Sequence, residues 1–123
     1  MVEEMSQGSL PFGKALREKR LEKKYGLRKF AELVGISPTY LSQVEQCNVS
    51  APTADRVRRM AELLGENPDA WIALAGRVSE DLSEIISEQP TQLPDLLRTV
   101  RGFTAEQLRK LREEAQRLKD EGE

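Results

Sequence analysis

The sequence contains no histidine. That removes the commonest general base and the commonest metal ligand. It holds a single cysteine, Cys47, so neither an internal disulfide nor a thiolate cluster for zinc is available, and a reducing cytoplasm is the expected compartment. No run of about 18 apolar residues occurs, so no membrane span is expected. The opening MVEEMSQGS is too acidic and polar for a signal peptide. A Gly-rich phosphate loop is missing, and aromatics make up only 5% of the chain, too few for a surface that stacks the bases of single-stranded RNA. The carboxylates lie scattered among lysines and arginines at helix-surface spacing. No enzyme, metal or cofactor is therefore expected.

What is present is a charged, moderately apolar chain. Its 123 residues, 38% apolar and 33% charged, suffice for one modest domain or a small domain with an appendage. The net charge of −2 is small, but its distribution is uneven. Between Ser9 and Gly35, Lys14, Arg17, Lys19, Arg20, Lys23, Lys24, Arg28 and Lys29 face only Glu18, Glu22 and Glu32, which is 8 − 3 = +5. From Arg77 onward, eight basic residues meet eleven acidic ones, or −3. Charge runs of this kind also occur on solvated helix surfaces. A basic front with an acidic rear suits a protein that lays one face on DNA.

Helical spacing recurs along the whole chain and no strand pattern appears. Phe12, Ala15, Leu16 and Lys19 begin a helix after Pro11, a residue suited to the first turn. Leu27, Phe30, Ala31 and Val34 repeat at i, i+3, i+4, i+7 and define a second helix ending at Gly35. Ser37 caps a third, with Pro38 at its first position, running to about Gln46. Thr53 caps a fourth ending at Gly65, and Asn67-Pro68 starts a fifth through Trp71, a core residue by its spacing, to about Gly76. Ser79 caps a helix that Pro90 breaks; TQLPDLLRTVRG gives a short one; Thr104 and Gln107 form a capping box for the last. The expected organisation is an arm over 1–9, a five-helix domain over 10–76 and a helical segment over 77–123.

Only GIS separates the second and third helices, so they must cross steeply, as in a helix-turn-helix. On a helix starting at Pro38, Leu41 and Val44 face the core, while Pro38, Thr39, Ser42 and Gln43 lie outward. A solvated surface would account for them in part. Hydroxyl and amide groups also suit base edges, because they donate and accept, and the first residues of such a helix reach the major groove first.

FGKALREKRLEKKYGLRKFAELVGISPTYLSQVEQ, followed by PTADRVRRMAELLG, resembles the phage-repressor or Xre-type helix-turn-helix regulators from about Leu10 to Leu74. The linked features are Leu16-Arg17 and Arg20, Phe30-Ala31, Gly35-Ile36-Ser37, Leu41-Ser42, Val44-Glu45 and the run from Pro52 to Gly65. The resemblance implies a five-helix bundle for this domain; with the helical spacing of the rest, the expected fold is all-α, the five-helix domain followed by a small helical C-terminal segment read as dimerising or regulatory. The resemblance also implies a transcriptional regulator, commonly a repressor, bound as a homodimer to a palindromic duplex operator. Base reading then falls on Pro38, Thr39, Ser42 and Gln43. Because Pro38 cannot donate to a base, Thr39 and Gln43 are the main readers. Phosphate contact falls on Arg28, Lys29, Gln46 and Asn48, with Tyr40 either a phosphate contact or a core-edge residue. The family's buried ion pair falls on Arg20 and Glu45. Gly26 and Leu27 replace the usual hydroxyl and Gln at the head of the second helix, where backbone amides could serve instead. Cys47 stands where many members carry glycine and reads as structural or incidental.

The segment from Arg77 to Glu123 matches no motif. Its last helix spaces Leu108, Leu111, Ala115 and Leu118 three, four and three apart, a seam too short to stand as an isolated coiled coil. Leu82, Ile85, Ile86, Leu96, Leu97, Leu108, Leu111 and Leu118 are expected to meet one another or their copies in a homodimer. A second class of function is a protein-interaction adaptor, antitoxin-like, whose C-terminal helices bind a regulatory partner protein.

Overall fold

The computed structural model describes residues 11–122; the arm expected over 1–9 lies outside them. The described residues are helical with no strand. The elements are α1 (Phe12–Glu22), α2 (Leu27–Val34), α3 (Pro38–Glu45), α4 (Ala54–Leu64), α5 (Pro68–Leu74), α6 (Glu80–Glu88), α7 (Gln92–Thr99) and α8 (Ala105–Glu121). No described helix is long and apolar enough to cross a membrane.

Local chemistry explains most of the boundaries. Gly35 takes φ +84 at the end of α2, a left-handed conformation that glycine adopts without a Cβ penalty. The Ile36 N–H then bonds back to the Ala31 carbonyl at 3.0 Å, closing the helix end. Ser37 Oγ accepts from the Tyr40 N–H at 3.0 Å and Pro38 opens α3. Asn67 Oδ1 accepts from the Ala70 N–H at 2.9 Å to start α5. Two expectations need correction. Pro11 occupies the cap position of α1, one residue before its first turn. Thr53 is extended at the head of α4, but its side chain makes no capping bond. Ser79 stands at the head of α6, where its carbonyl accepts from the Ser83 N–H at 3.2 Å; it is buried, and its hydroxyl accepts from Arg58 Nη2 at 3.1 Å.

The chain divides into two compact units, one ending at Ser83 and one starting at Glu84. In the first, Leu16, Phe30, Leu41, Val57, Met60 and Leu64 are fully buried, with Val34, Val44 and Ile72 nearly so. Each such side chain contributes about 1.5–3 kcal/mol relative to exposure. Trp71 packs edge-on to Phe12 with ring centroids 5.7 Å apart, joining α5 to α1. Between α1 and α3 the approach is closer still. A Cβ built on Gly13 would lie 2.2 Å from the Val44 carbonyl oxygen, so only glycine permits this crossing.

Arginines hold the helix-turn-helix in place. Arg56 Nη1 donates to the carbonyls of Val34 at 2.7 Å and Gly35 at 2.9 Å, and Arg59 Nε reaches that of Leu33 at 3.4 Å. These are the carbonyls that the end of α2 leaves without helical partners, where positive charge is favoured. Arg77 binds the carbonyls of Pro52 and Ala51. With Ser79 on Arg58, this ties the residues just after Gly76 to the first unit. The division falls after Ser83, so Leu82 lies on the first unit's side of it.

In the second unit, α8 opens with the expected capping box: the Gln107 N–H donates to Thr104 Oγ1 at 3.1 Å and the Thr104 N–H to Gln107 Oε1 at 2.9 Å. Its surface is laced by pairs such as Arg109 with Glu113 at 3.0 Å and Arg98 with Asp95 at 3.3 Å. No described residue of this unit is buried. Ile85, Leu96, Leu97, Leu108 and Leu118 are exposed and Ile86 and Leu111 half-buried, so the apolar seam read from the sequence finds no closed core within one copy.

Candidate nucleic-acid interface

The start of α3 sets which side chains stand outward. Leu41, Val44 and Glu45 are buried, Thr39 is exposed, and Pro38, Ser42 and Gln43 are half-buried at the rim. An open depression brings Pro38, Thr39, Ser42 and Gln43 together with Leu27 and Arg28 of α2. A second adjoins it, lined by Lys14, Arg17 and Arg20 of α1, Leu27, and Ser42, Glu45 and Gln46 of α3. The outward face of α3 is thus uncharged and bordered by cations from two other helices.

Among the described residues of the basic segment, Lys19, Arg20 and Lys29 enter ion pairs; Lys14, Arg17, Lys23, Lys24 and Arg28 do not, and of these only Lys14, Arg17 and Arg28 line the two depressions. Lys19 Nζ lies 3.3 Å from Glu22 and 3.4 Å from Glu66. These hydrogen bonds, with the charges behind them, raise the Lys19 pKa above its ordinary value. Lys29 reaches toward Glu32 at 4.0 Å and lines neither depression. Arg28 is therefore well placed for a phosphate, and Lys29 is not gathered at the face. In the sequence Lys14 was visible only as a member of a basic run, and Arg17 as that and as part of the family resemblance. What marks them here is a position one turn apart on α1 beside Ser42 and Gln46, a tertiary fact.

The head of α2 adds backbone donors. Gly26 caps it without a side-chain bond, and the first N–H groups of a helix have no intrahelical partner. With the helix dipole they favour an anion there, in the place of the missing hydroxyl and glutamine.

Arg20 and Glu45 brace the face from behind. Arg20 Nε and Nη2 donate to the Glu45 carboxylate at 2.6 and 2.8 Å, and Nη1 donates to the Tyr25 carbonyl at 2.9 Å. Both side chains are nearly inaccessible. The hydrogen bond to Glu45 raises the Arg20 pKa, burial opposing it. The pair joins the end of α1 to the end of α3, so helix position and ion pair are one structural fact. Tyr40 is a core-edge residue: it is half-buried, packs against the core, and its hydroxyl donates to the Ser50 carbonyl at 3.2 Å. Its phenolic proton is thus committed within the fold. Gln46 and Asn48 are exposed at the end of α3 and bond to Ser42 and Gln43 at 2.9 Å each. Cys47 is exposed with φ +62, which explains why glycine suits this turn.

No curated protein matches the chain. Several solved structures resemble it, among them these two. The clp gene regulator ClgR from Corynebacterium glutamicum is 27% identical with a TM-score of 0.46, over 73% of this chain and 86% of that one. A chain of the SinR/SinI protein complex is 21% identical with a TM-score of 0.45, over 89% and 98%. The model of the helix-turn-helix domain family matches residues 13–77, which spans α1 to α5 and more than half of the chain. The segment that carries the bordered α3 face is the segment that matches, and the chain belongs to the helix-turn-helix domain family.

Proposed function

We propose that the protein is a sequence-specific DNA-binding transcriptional regulator, a repressor, that binds a palindromic operator in the cytoplasm as a homodimer. The observation that carries this reading is the uncharged outward face of α3 bordered by the unpaired cations Lys14, Arg17 and Arg28. Thr39 and Gln43 read base edges in the major groove, with Ser42 beside them. Lys14, Arg17, Arg28 and the backbone amides opening α2 hold phosphates and fix the register. No catalytic step is assigned.

The homodimer rests on the second unit. Leu96, Leu97, Leu108 and Leu118 are between 43% and 63% exposed, and two copies of this surface would cover one another. Two linked α3 helices would then read half-sites about 34–36 Å apart on one face of the duplex. The same exposed leucines support a second reading, in which a regulatory partner protein takes that surface.

Binding of duplex DNA should weaken with salt. Replacing Lys14, Arg17 and Arg28 together by Ala should reduce the slope of log K against log[salt] by about 3 per protomer, at roughly 0.9 for each lost phosphate contact. An unchanged slope would remove the face from the proposal. Light scattering separates the two readings of the second unit. A dimer at tens of micromolar supports self-association; a monomer leaves the surface to a partner protein.

A further inference from the structure

Four uncharged side chains at the end of α3 form one bonded chain. Asn48 Nδ2 donates to Gln43 Oε1 at 2.9 Å and to Gln46 Oε1 at 3.3 Å, and Gln46 Nε2 donates to Ser42 Oγ at 2.9 Å. The backbone brings Asn48 there. After Cys47 turns with φ +62, the Asn48 N–H bonds the Gln43 carbonyl at 3.0 Å. The side chain of Asn48 thereby returns alongside a residue one turn earlier.

This arrangement gives the Gln43 amide a direction. A free glutamine presents a carbonyl acceptor and an NH2 donor, and grips adenine by using both. Here the bond from Asn48 occupies one of the carbonyl's two lone pairs and holds the oxygen toward Asn48, which leaves the NH2, with its two donors, on the other side of the amide. The carbonyls at the C-terminal end of α3 favour the N–H side of Asn48 at this position over its oxygen. A long side chain held by a neighbour also loses less rotamer freedom when it meets a base.

Resting on the reading of α3 as the base-reading helix, we infer that Asn48 is a positioning residue that sets base specificity through Gln43. It holds the glutamine carbonyl and presents the NH2 to the groove. The base pair facing Gln43 is then selected for major-groove acceptors, guanine N7 and O6 or thymine O4, against cytosine, which offers only its N4 donor. This role differs from a phosphate contact, which positions the protein without reading sequence.

The test uses the full-length protein and an operator obtained by selection from random duplexes. The base pair facing Gln43 is varied through all four forms, and relative affinities are measured by competition. Wild type should favour guanine or thymine over cytosine by roughly five- to a hundredfold, the range of a good base contact. Asn48→Ala should flatten that discrimination to within about threefold, with affinity for random DNA changed by less than about twofold and the melting temperature unmoved, since Asn48 is exposed. Asn48→Asp accepts from the Gln43 NH2, turns its carbonyl outward and should move the preference toward cytosine and adenine. The inference is overturned if Asn48→Ala weakens all four operators equally and lowers the salt slope by about 1, the signature of a phosphate contact. It is also overturned if wild type prefers cytosine. If Gln43→Ala leaves the discrimination intact, the base-reading role of Gln43 itself fails, which is a separate result from either.

Discussion

Leu41 in the first unit and Leu108 in the second both sit on helices started by a side-chain cap, Ser37 on α3 and Thr104 on α8. Leu41 is fully buried; Leu108 is 43% exposed. Local signals start a helix equally well in both places, but burial needs neighbours of matching shape. In the first unit four other helices supply them, closed by Phe12 on Trp71 and by the glycine contact of α1 with α3. The second unit has ion-pair lacing instead, and exposed pairs contribute little stability, about 0–1 kcal/mol each. One unit is a finished fold that presents a polar face. The other leaves Leu96, Leu97, Leu108 and Leu118 exposed.

The sharpest way to break this contrast is through Glu45. Glu45→Ala strands Arg20 in a buried site and should cost about 3–5 kcal/mol, read as a fall in the melting temperature of the first unit. Arg20→Met with Glu45→Leu removes both charges and should recover much of the loss. An unchanged melting temperature for Glu45→Ala would mean that the pair does not support the fold. Next in size is Gly13→Ala. The new methyl would meet a backbone oxygen that cannot rotate away, so α1 must shift from α3 at about 1–3 kcal/mol or more. The same substitution at Gly26, where a Cβ meets nothing within 4 Å, serves as the control.

A smaller effect refines where the finished unit ends. Chains cut after Gly76 and after Ser83 should both fold. The shorter one loses Arg77 on the Ala51 and Pro52 carbonyls and Ser79 on Arg58. It should be less stable by about 1–2 kcal/mol in denaturant titrations, allowing for the exposure of Arg77. Equal stability would place the boundary back at Gly76.

These residues also show what the sequence could and could not disclose. Ser37-Pro38, Asn67-Pro68 and the Thr104/Gln107 pair act within one turn of themselves, so the helix order and the outward residues of α3 were legible from residue types and spacing alone. Thr53 carried the same cap signal without forming the bond, since a cap preference states what a residue can do. Gly13 was not legible, because its role is set by a carbonyl on α3, 31 positions away. Nor were Arg56, Arg59 and Arg77. A guanidinium that binds backbone carbonyls answers to no residue type, so no spacing announces it. The gathering of Lys14, Arg17 and Arg28 around the α3 face became visible only once α1 and α2 lay beside α3. The resemblance to helix-turn-helix regulators supplied the proposed base-reading positions and the ion pair, but the linkage of Asn48 to Gln43 comes from the turn geometry.

The central claim is that α3 reads sequence while the surrounding cations only hold the duplex. Affinities of wild type, Gln43→Ala and Arg28→Ala for a selected operator and for random duplex of equal length, measured across a salt series, test it most directly. Gln43→Ala should lose about 1–3 kcal/mol on the operator and almost nothing on random DNA, with the salt slope unchanged. Arg28→Ala should weaken both duplexes alike and reduce the slope by about 1. Equal losses on both duplexes for Gln43→Ala would contradict the account.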